Sequence, residues 1–152
     1  MPPASTRFEA PSPVERLFNR VFGFLVGLGL GLPHNYLLEV RGRKSGRTYS
    51  TPVDVLGYGG RRYLVAARGD TQWVRNARAS GQVMLRKGTR REECRLRAVA
   101  DREKPELLKA YLDRFKMTVQ RYFPIPAGSP VEKFAPVAAG YPVYELIAER
   151  TP

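Results

Sequence analysis

Gly42-Arg43-Lys44-Ser45-Gly46-Arg47 joins two segments that both have the pattern of a β-strand. Apolar side chains alternate along residues 35–41, and residues 51–56 are rich in β-branched and apolar types. Glycine permits backbone angles that bring amide N–H groups close to a ligand, and successive exposed amides form an anion-binding concavity. The loop therefore fits either a site for phosphate or carboxylate, or an ordinary basic hairpin turn.

The composition indicates one globular domain with a strong positive field. The chain has 152 residues and a formal net charge of +12, which attracts nucleic acid, anionic lipid or a polyanionic small molecule without choosing among them. The single cysteine, Cys94, cannot form an internal disulfide, so we expect a reducing, cytoplasmic setting and a strand position for Cys94. One cysteine and one histidine argue against a zinc site.

The order of elements predicts a small closed or half-closed barrel of mostly antiparallel strands. Gly59-Gly60 is a two-residue hairpin signal, Asp70 or Thr71 is placed to cap a helix, and Gly81 is placed to end it. Periodicity and turn residues predict strands at 51–58, 61–68, 83–87, 90–100 and 141–148, with helices at 72–80 and 101–123.

The region before the barrel divides into a flexible arm (1–13) and an apolar helix (14–33), followed by the cofactor-binding domain (34–152). The uncharged run within 14–33 is too short to cross a bilayer, and no signal peptide is expected. This helix has two interpretations. It packs on the sheet or on a partner subunit, which would suit a homodimer, or it rests on the membrane surface, which would give a peripheral position on the inner face of the plasma membrane.

Four motifs follow one another in an order that resembles the deazaflavin-dependent nitroreductase family. They are the 42–47 loop, Thr51-Pro52, the Gly59-Gly60 turn with the strand 63–68, and the tryptophan-containing block 73–79. The resemblance covers residues 37–99, with an echo at 141–146. It implies an α+β split β-barrel of the flavin-reductase and pyridoxamine-oxidase type, with an N-terminal helix and peripheral helices.

The resemblance also implies the cofactor, coenzyme F-420 (an 8-hydroxy-5-deazaflavin), whose phosphodiester and glutamate tail make it a polyanion. Arg43, Lys44 and Ser45 would hold the phosphate. Thr51 and Pro52 would lie beside the ring system, Ala67 and Arg68 would approach the cofactor, and Trp73 with Asn76 would close the other side.

No hydrolytic constellation is evident, which fits an oxidoreductase whose cofactor carries the chemistry. Hydride would pass to a hydrophobic acceptor such as a quinone, a nitro compound or a lipid, with Tyr122 or Tyr141 as candidate proton donors. His34 and Asp54 are expected to line the substrate pocket. Asp54 departs from the family pattern, where an apolar or aromatic residue is common, and the segment between Arg68 and Trp73 is shorter than in many members.

Two other classes stay open. A flavin-binding protein, holding flavin mononucleotide (FMN), or a non-catalytic ligand-binding protein could use the same barrel. A nucleic-acid-binding module is the second class, because cations flank the predicted turn at Gly88-Thr89: Arg86, Lys87, Arg90, Arg91, Arg95 and Arg97. The absence of aromatic residues interleaved with these cations argues against a stacking platform for bases.

Overall fold

Six antiparallel strands close into a barrel in the computed structural model, which describes residues 33–149. Around the barrel the strands follow the order β1-β2-β3-β6-β5-β4, and β4 pairs with β1 to complete the ring. The strands are β1 (Asn35–Arg41), β2 (Thr48–Tyr58), β3 (Arg61–Val65), β4 (Gln82–Lys87), β5 (Arg90–Ala98) and β6 (Val143–Ala148). The predicted barrel class is confirmed, and it is fully closed.

The barrel interior is filled by the alternating apolar residues of these strands. Leu38 pairs with Leu85 across β1 and β4, and Leu64, Cys94 and Leu146 join them in one buried cluster. Because successive side chains of a strand point to opposite faces, the same strands present charged residues outward.

Two predicted turns have the required backbone. Gly59 and Gly60 both have positive φ, 59° and 77°, as a tight hairpin with the twist of its strands requires. Helix α1 (Gln72–Ser80) ends at Gly81, whose φ is 74° and whose N–H donates to the Ala77 carbonyl.

The start of α1 differs from the prediction. Thr71 occupies the N-cap position, but its side chain makes no capping hydrogen bond. The Asp70 carboxylate forms ion pairs with Arg75 and Arg78 instead, each at 3.2 Å. These pairs join residues on α1 to the turn before it, so the turn is stabilised by charge rather than by a cap.

The predicted helix 101–123 is confirmed in extent but consists of three pieces. Short 3₁₀ turns flank α2 (Lys104–Val119), and Phe115 has non-helical angles of −112° and 24°, which kink the helix. The apolar face of α2 covers one part of the barrel. A 3₁₀ helix at Val131–Gly140 packs on α2 through Phe134.

Cys94 lies on β5 with no exposed surface, as a strand residue rather than a nucleophile, and burial raises the pKa of its thiol to about 11. Because the thiolate is the reactive form, we expect native Cys94 to react with a thiol reagent at about pH 8 at least about 100-fold more slowly than free cysteine. Mass spectrometry with and without denaturant measures this. Complete labelling of the folded protein within minutes would contradict the buried position.

The N-terminal predictions lie outside the part that the structure describes: the arm 1–13 and, apart from Pro33, the apolar helix 14–33. Within residues 33–149, no helix combines the length and hydropathy needed to cross a membrane.

Candidate functional site

A cavity of about 1030 Å³ opens beside the barrel, between β2, the end of β3, the start of α1 and the second half of α2. All the predicted site residues except Tyr141 line it. These are the nine predicted cofactor contacts Arg43, Lys44, Ser45, Thr51, Pro52, Ala67, Arg68, Trp73 and Asn76, together with His34, Asp54 and Tyr122.

The 42–47 loop forms a tight turn that leaves two amides at its apex. The Gly42 N–H donates to the Arg47 carbonyl at 2.7 Å, and the Gly46 N–H donates to the Gly42 carbonyl at 3.0 Å. The Arg47 N–H donates to Ser45 Oγ at 3.2 Å. No acceptor for the N–H of Lys44 or Ser45 lies within the described residues. The loop thus has two backbone amides available as donors, rather than a continuous series of exposed amides along all of residues 42–47.

Tyr49 packs against this loop and explains why residue 42 is glycine. A Cβ at Gly42 would lie 2.6 Å from the Tyr49 ring and 2.9 Å from Ser45 Oγ, distances that a real side chain does not tolerate. The hydroxyl groups of Ser45 and Tyr49 lie 3.2 Å apart. The Ser45 side chain is therefore engaged in shaping the loop.

Arg43 ties the loop to helix α1. Its backbone N–H and its Nη1 both donate to Asn76 Oδ1, at 3.1 and 2.7 Å, and Nη1 also donates to Gln72 Oε1 at 3.1 Å. Asn76 is buried, so it holds this bond in a low-dielectric setting. Arg43 contributes positive charge to the cavity, but much of its hydrogen-bonding capacity is committed to α1.

Lys44 is placed differently. Its side chain is exposed at the cavity rim, and no carboxylate or carbonyl within the described chain engages its amine. A compact, flexible ammonium beside two apical amides is a suitable set of donors for a phosphate or carboxylate.

The opposite wall carries further positive charge. Arg68 and Arg121 lie over the Tyr122 ring, with Cζ 5.9 and 4.8 Å from its centroid, and Arg121 Nη2 donates to the Tyr122 hydroxyl at 2.6 Å. Among residues 33–149, four cations but only one carboxylate, that of Asp54, line the cavity. The cavity is therefore electropositive, with cations on two sides.

The short segment between Arg68 and Trp73 makes a tight turn at the cavity edge. The Gly69 N–H donates to the Ala66 carbonyl at 3.0 Å with φ at 83°, and the Thr71 N–H donates to the Gly69 carbonyl at 2.9 Å. Thr71 Oγ1 is buried on this wall and has no hydrogen-bond partner within residues 33–149. A buried hydroxyl of this kind suits a polar ligand atom.

His34 and Asp54 meet at another part of the cavity wall. His34 Nε2 lies 3.6 Å from Asp54 Oδ1, which also accepts a 2.6 Å hydrogen bond from Asn35. The His34 ring packs against Phe115 at a centroid distance of 4.7 Å. Burial raises the pKa of Asp54, while the charge of His34 and the bond from Asn35 act in the opposite direction.

The two predicted proton donors are separated by the fold. Tyr122 lines the cavity, whereas Tyr141 does not: it is fully buried, stacks on Phe123 at 4.5 Å and donates to the Tyr122 carbonyl at 2.5 Å. Burial raises the pKa of Tyr141 to about 12. This placement favours Tyr122 over Tyr141 as a residue that could touch a ligand.

Residues of this cavity that sequence reasoning did not single out include Tyr49, Thr71 as a wall residue, Gln72, Tyr111 and Arg121. The position of Tyr49 immediately after the basic loop was a signal for the first. Tyr111 belongs to the apolar stripe of α2, and only the packing of α2 beside β2 brings it to the cavity.

Three of the six cations of the β4–β5 hairpin that suggested a nucleic-acid surface form ion pairs with acids on the barrel. Arg86 and Arg91 pair with Glu39 at 3.5 and 3.4 Å, and Arg97 pairs with Glu145 at 2.7 Å. The Lys87 amine donates to the Asn35 carbonyl at 2.9 Å. These contacts engage Arg86, Lys87, Arg91 and Arg97 within the barrel itself.

Solved structures share this fold at low sequence identity. A protein of unknown function from Agrobacterium tumefaciens is 19% identical, with a TM-score of 0.58. The match covers 99% of this chain but 60% of that protein, so this chain spans less than two thirds of its length. An F-420-H2 dependent reductase is 17% identical, with a TM-score of 0.51 and coverage of 75% and 94%. A FAD-binding protein from Mesorhizobium loti is 13% identical, with a TM-score of 0.51 and coverage of 92% and 91%.

These neighbours confirm the split-barrel fold. No curated protein sequence matches the chain at a significant level. A family model does match: that of the F-420H(2)-dependent quinone reductases, over residues 15–124, which is well over half of the chain. The resemblance to deazaflavin-dependent enzymes is thereby confirmed, and the chain belongs to the F-420H(2)-dependent quinone reductase family of oxidoreductases.

Proposed function

We propose that the cavity binds coenzyme F-420 and that the protein uses the reduced coenzyme to reduce a quinone. The observation that carries this proposal is the convergence of four cations, two apical amides and an unpartnered buried hydroxyl on one cavity. The coenzyme is a polyanion, and in a partly enclosed cavity its charges gain more from fixed cations than they would in water. When bound, the coenzyme supplies the hydride.

The residues divide into an anion-holding group and a ring-holding group. Lys44 and the amides of Lys44 and Ser45 would hold a phosphate, with Arg43 adding charge and fixing the loop. Thr51 and Pro52 of β2, with Ala67 and Arg68 after β3, would lie beside the ring system. Trp73 and Asn76 of α1 would close the other side.

The acceptor is proposed to be a quinone because part of the wall is apolar. Val53, Leu64, Val65 and Val119 line the cavity between the charged regions. A flat apolar ring would exclude water there and be held close to the reduced coenzyme, which is what a direct hydride transfer requires. The other predicted acceptors, nitro compounds and lipids, are tested in the same assay.

The assay follows the return of oxidised-coenzyme absorbance when reduced coenzyme F-420 is mixed with protein and an acceptor. We expect turnover with quinones, and a higher kcat/KM for quinones than for nitroaromatic compounds or unsaturated fatty acids. Turnover of nitroaromatic compounds alone would replace the proposed acceptor. No oxidation of the coenzyme with any acceptor would overturn the reductase proposal for this cavity.

FMN is the second candidate ligand, since a FAD-binding protein shares the fold and FMN also combines an aromatic ring with a phosphate. The same donors would serve its phosphate. This alternative would be favoured if the purified protein shows the absorbance of bound flavin, or if it binds FMN more tightly than the deazaflavin.

Contact with a membrane surface and a homodimer both stay proposals that involve residues 14–33. Contact with the membrane would bring the protein close to a quinone substrate, because quinones with long tails reside in lipid. A sedimentation assay with anionic liposomes should show binding by the full chain and its loss on deletion of residues 1–32. Equal liposome binding by the full chain and the deletion variant would contradict the membrane proposal. Analytical ultracentrifugation would show whether the protein forms a dimer.

A further inference from the structure

We propose that His34, which lies beside Asp54, delivers the proton that accompanies hydride transfer to the acceptor. This inference rests on the proposed function, because it assigns a residue to the second half of that reaction. Reduction of a quinone to a hydroquinone consumes one hydride and one proton, and the cavity must supply both.

The geometry sets His34 apart from the other groups of the cavity. It lines the cavity wall and its side chain is 33% exposed, so it can contact both a bound acceptor and bulk water. The Nε2–Oδ1 distance of 3.6 Å to Asp54 exceeds hydrogen-bond length, so the Nε2 proton is not committed to the carboxylate. The carboxylate still stabilises the imidazolium by Coulombic attraction.

Asp54 is itself held in place. It accepts the 2.6 Å hydrogen bond from Asn35, which is buried on the adjacent strand, and β1 pairs Asn35 directly with Asp54. The Val55 N–H donates to the His34 carbonyl at 2.9 Å, which fixes the His34 backbone on the same two strands. The pair is therefore built into the barrel rather than carried by a mobile loop.

Two other titratable groups of this region, Tyr111 and Lys87, are poor sources of a proton. Burial raises the pKa of Tyr111, on α2, whereas the Tyr122 hydroxyl accepts a hydrogen bond from Arg121. Lys87, on β4, is engaged with the Asn35 carbonyl. Histidine is the side chain whose ordinary titration range lies nearest neutral pH, which suits a general acid.

The reduced deazaflavin would supply the hydride with its electron pair and be oxidised, and the quinone that accepts this hydride would be reduced to a hydroquinone monoanion. The remaining oxygen anion would form an O–H bond as the Nε2–H bond of His34 breaks. His34 is left neutral beside Asp54, and water reprotonates it through its exposed edge.

The test combines kinetics with a measurement on the protein alone. For His34→Gln we expect kcat for quinone reduction to fall about 100-fold, because general acids typically contribute that much, while the Kd for coenzyme F-420 changes less than about twofold. The wild-type rate should fall as pH rises, because a general acid must carry its proton to act. The His34→Gln rate should be low and flat. Added imidazole should restore part of the rate to His34→Ala.

Asp54→Asn is the second variant, because it keeps the hydrogen bond to Asn35 and removes only the charge. We expect it to lower kcat for quinone reduction by less than His34→Gln does, with a Kd for coenzyme F-420 that changes less than about twofold. In the protein without coenzyme, carboxyl ¹³C NMR should show that the pKa of Asp54 rises in His34→Gln, since the charge of His34 lowers it.

The outcomes separate this proposal from the one on which it rests. A wild-type protein that reduces quinones, with His34→Gln retaining both kcat and the alkaline limb, would overturn proton delivery by His34 alone. A wild-type protein that binds coenzyme but reduces no acceptor would overturn both. An Asp54 titration that does not respond to His34→Gln would overturn the coupled pair.

Discussion

We expect Phe134→Ala to lower the free energy of unfolding by about 3–5 kcal/mol, the range for removing a large buried aromatic side chain. Phe134 has no exposed surface and lies in the core cluster with Phe123, at a ring distance of 6.5 Å, and with the apolar face of α2. The substitution leaves a cavity that the 3₁₀ helix cannot close, because the Lys104 amine also fixes that helix at the Ala138 carbonyl. Chemical denaturation measures the change.

Met117→Ala is the matched control for this experiment. Met117 is on α2 but is 91% exposed, so its truncation removes no packing, and we expect a change within about 0.5 kcal/mol. If Phe134→Ala were no more destabilising than Met117→Ala, the Val131–Gly140 segment would not be part of the core.

The second large effect is expected for Asn76→Leu, which keeps the branched shape and the number of side-chain heavy atoms and removes the acceptor for Arg43. Both hydrogen bonds from Arg43 to Asn76 are lost, one of them charge-assisted, and the loop is released from α1. We expect the Kd for coenzyme F-420 to rise at least about tenfold, or about 1.4 kcal/mol. Fluorescence titration of the purified variant measures it.

A structural measurement separates loop release from loss of a direct contact. Trypsin cuts after arginine and lysine, so cleavage after Arg43 and Lys44 should be faster in Asn76→Leu than in the wild type, without coenzyme present. Gln72→Ala removes only the longer of the Arg43 side-chain bonds and should change both readouts less. If Asn76→Leu kept the cleavage rate and the coenzyme affinity of the wild type, the Arg43–Asn76 hydrogen bonds would have no role in holding the loop.

The sequence was informative wherever the cause of structure is local. Alternation predicted β1, paired glycines predicted the β2–β3 hairpin, and Gly81 predicted the end of α1. The glycines and cations of the 42–47 loop predicted a short connection between strands, and left open whether it is an anion site or a basic hairpin turn. These features depend on neighbours in the chain, which a single sequence displays directly.

Contacts between distant residues were not predictable in the same way. The Arg43–Asn76 bond joins residues 33 positions apart, and nothing in either segment reveals that α1 packs beside the loop. The sequence allowed Tyr141 as a proton donor, whereas the structure places it in the core. The His34–Asp54 pair is an intermediate case: counting the β1–β2 register back from the loop places Asn35 opposite Asp54, and so brings His34 to the same end of the hairpin.

The central claim is that this cavity binds a deazaflavin polyanion through the 42–47 loop, and a binding titration tests it most directly. Oxidised coenzyme F-420 and FMN are each titrated into the wild type, Lys44→Ala and the control Lys133→Ala, whose lysine is exposed and does not line the cavity. We predict saturable deazaflavin binding, tighter than that of FMN. Its Kd should rise about tenfold or more in Lys44→Ala and less than about twofold in Lys133→Ala. Absence of deazaflavin binding, or equal affinity in the two lysine variants, would contradict the claim.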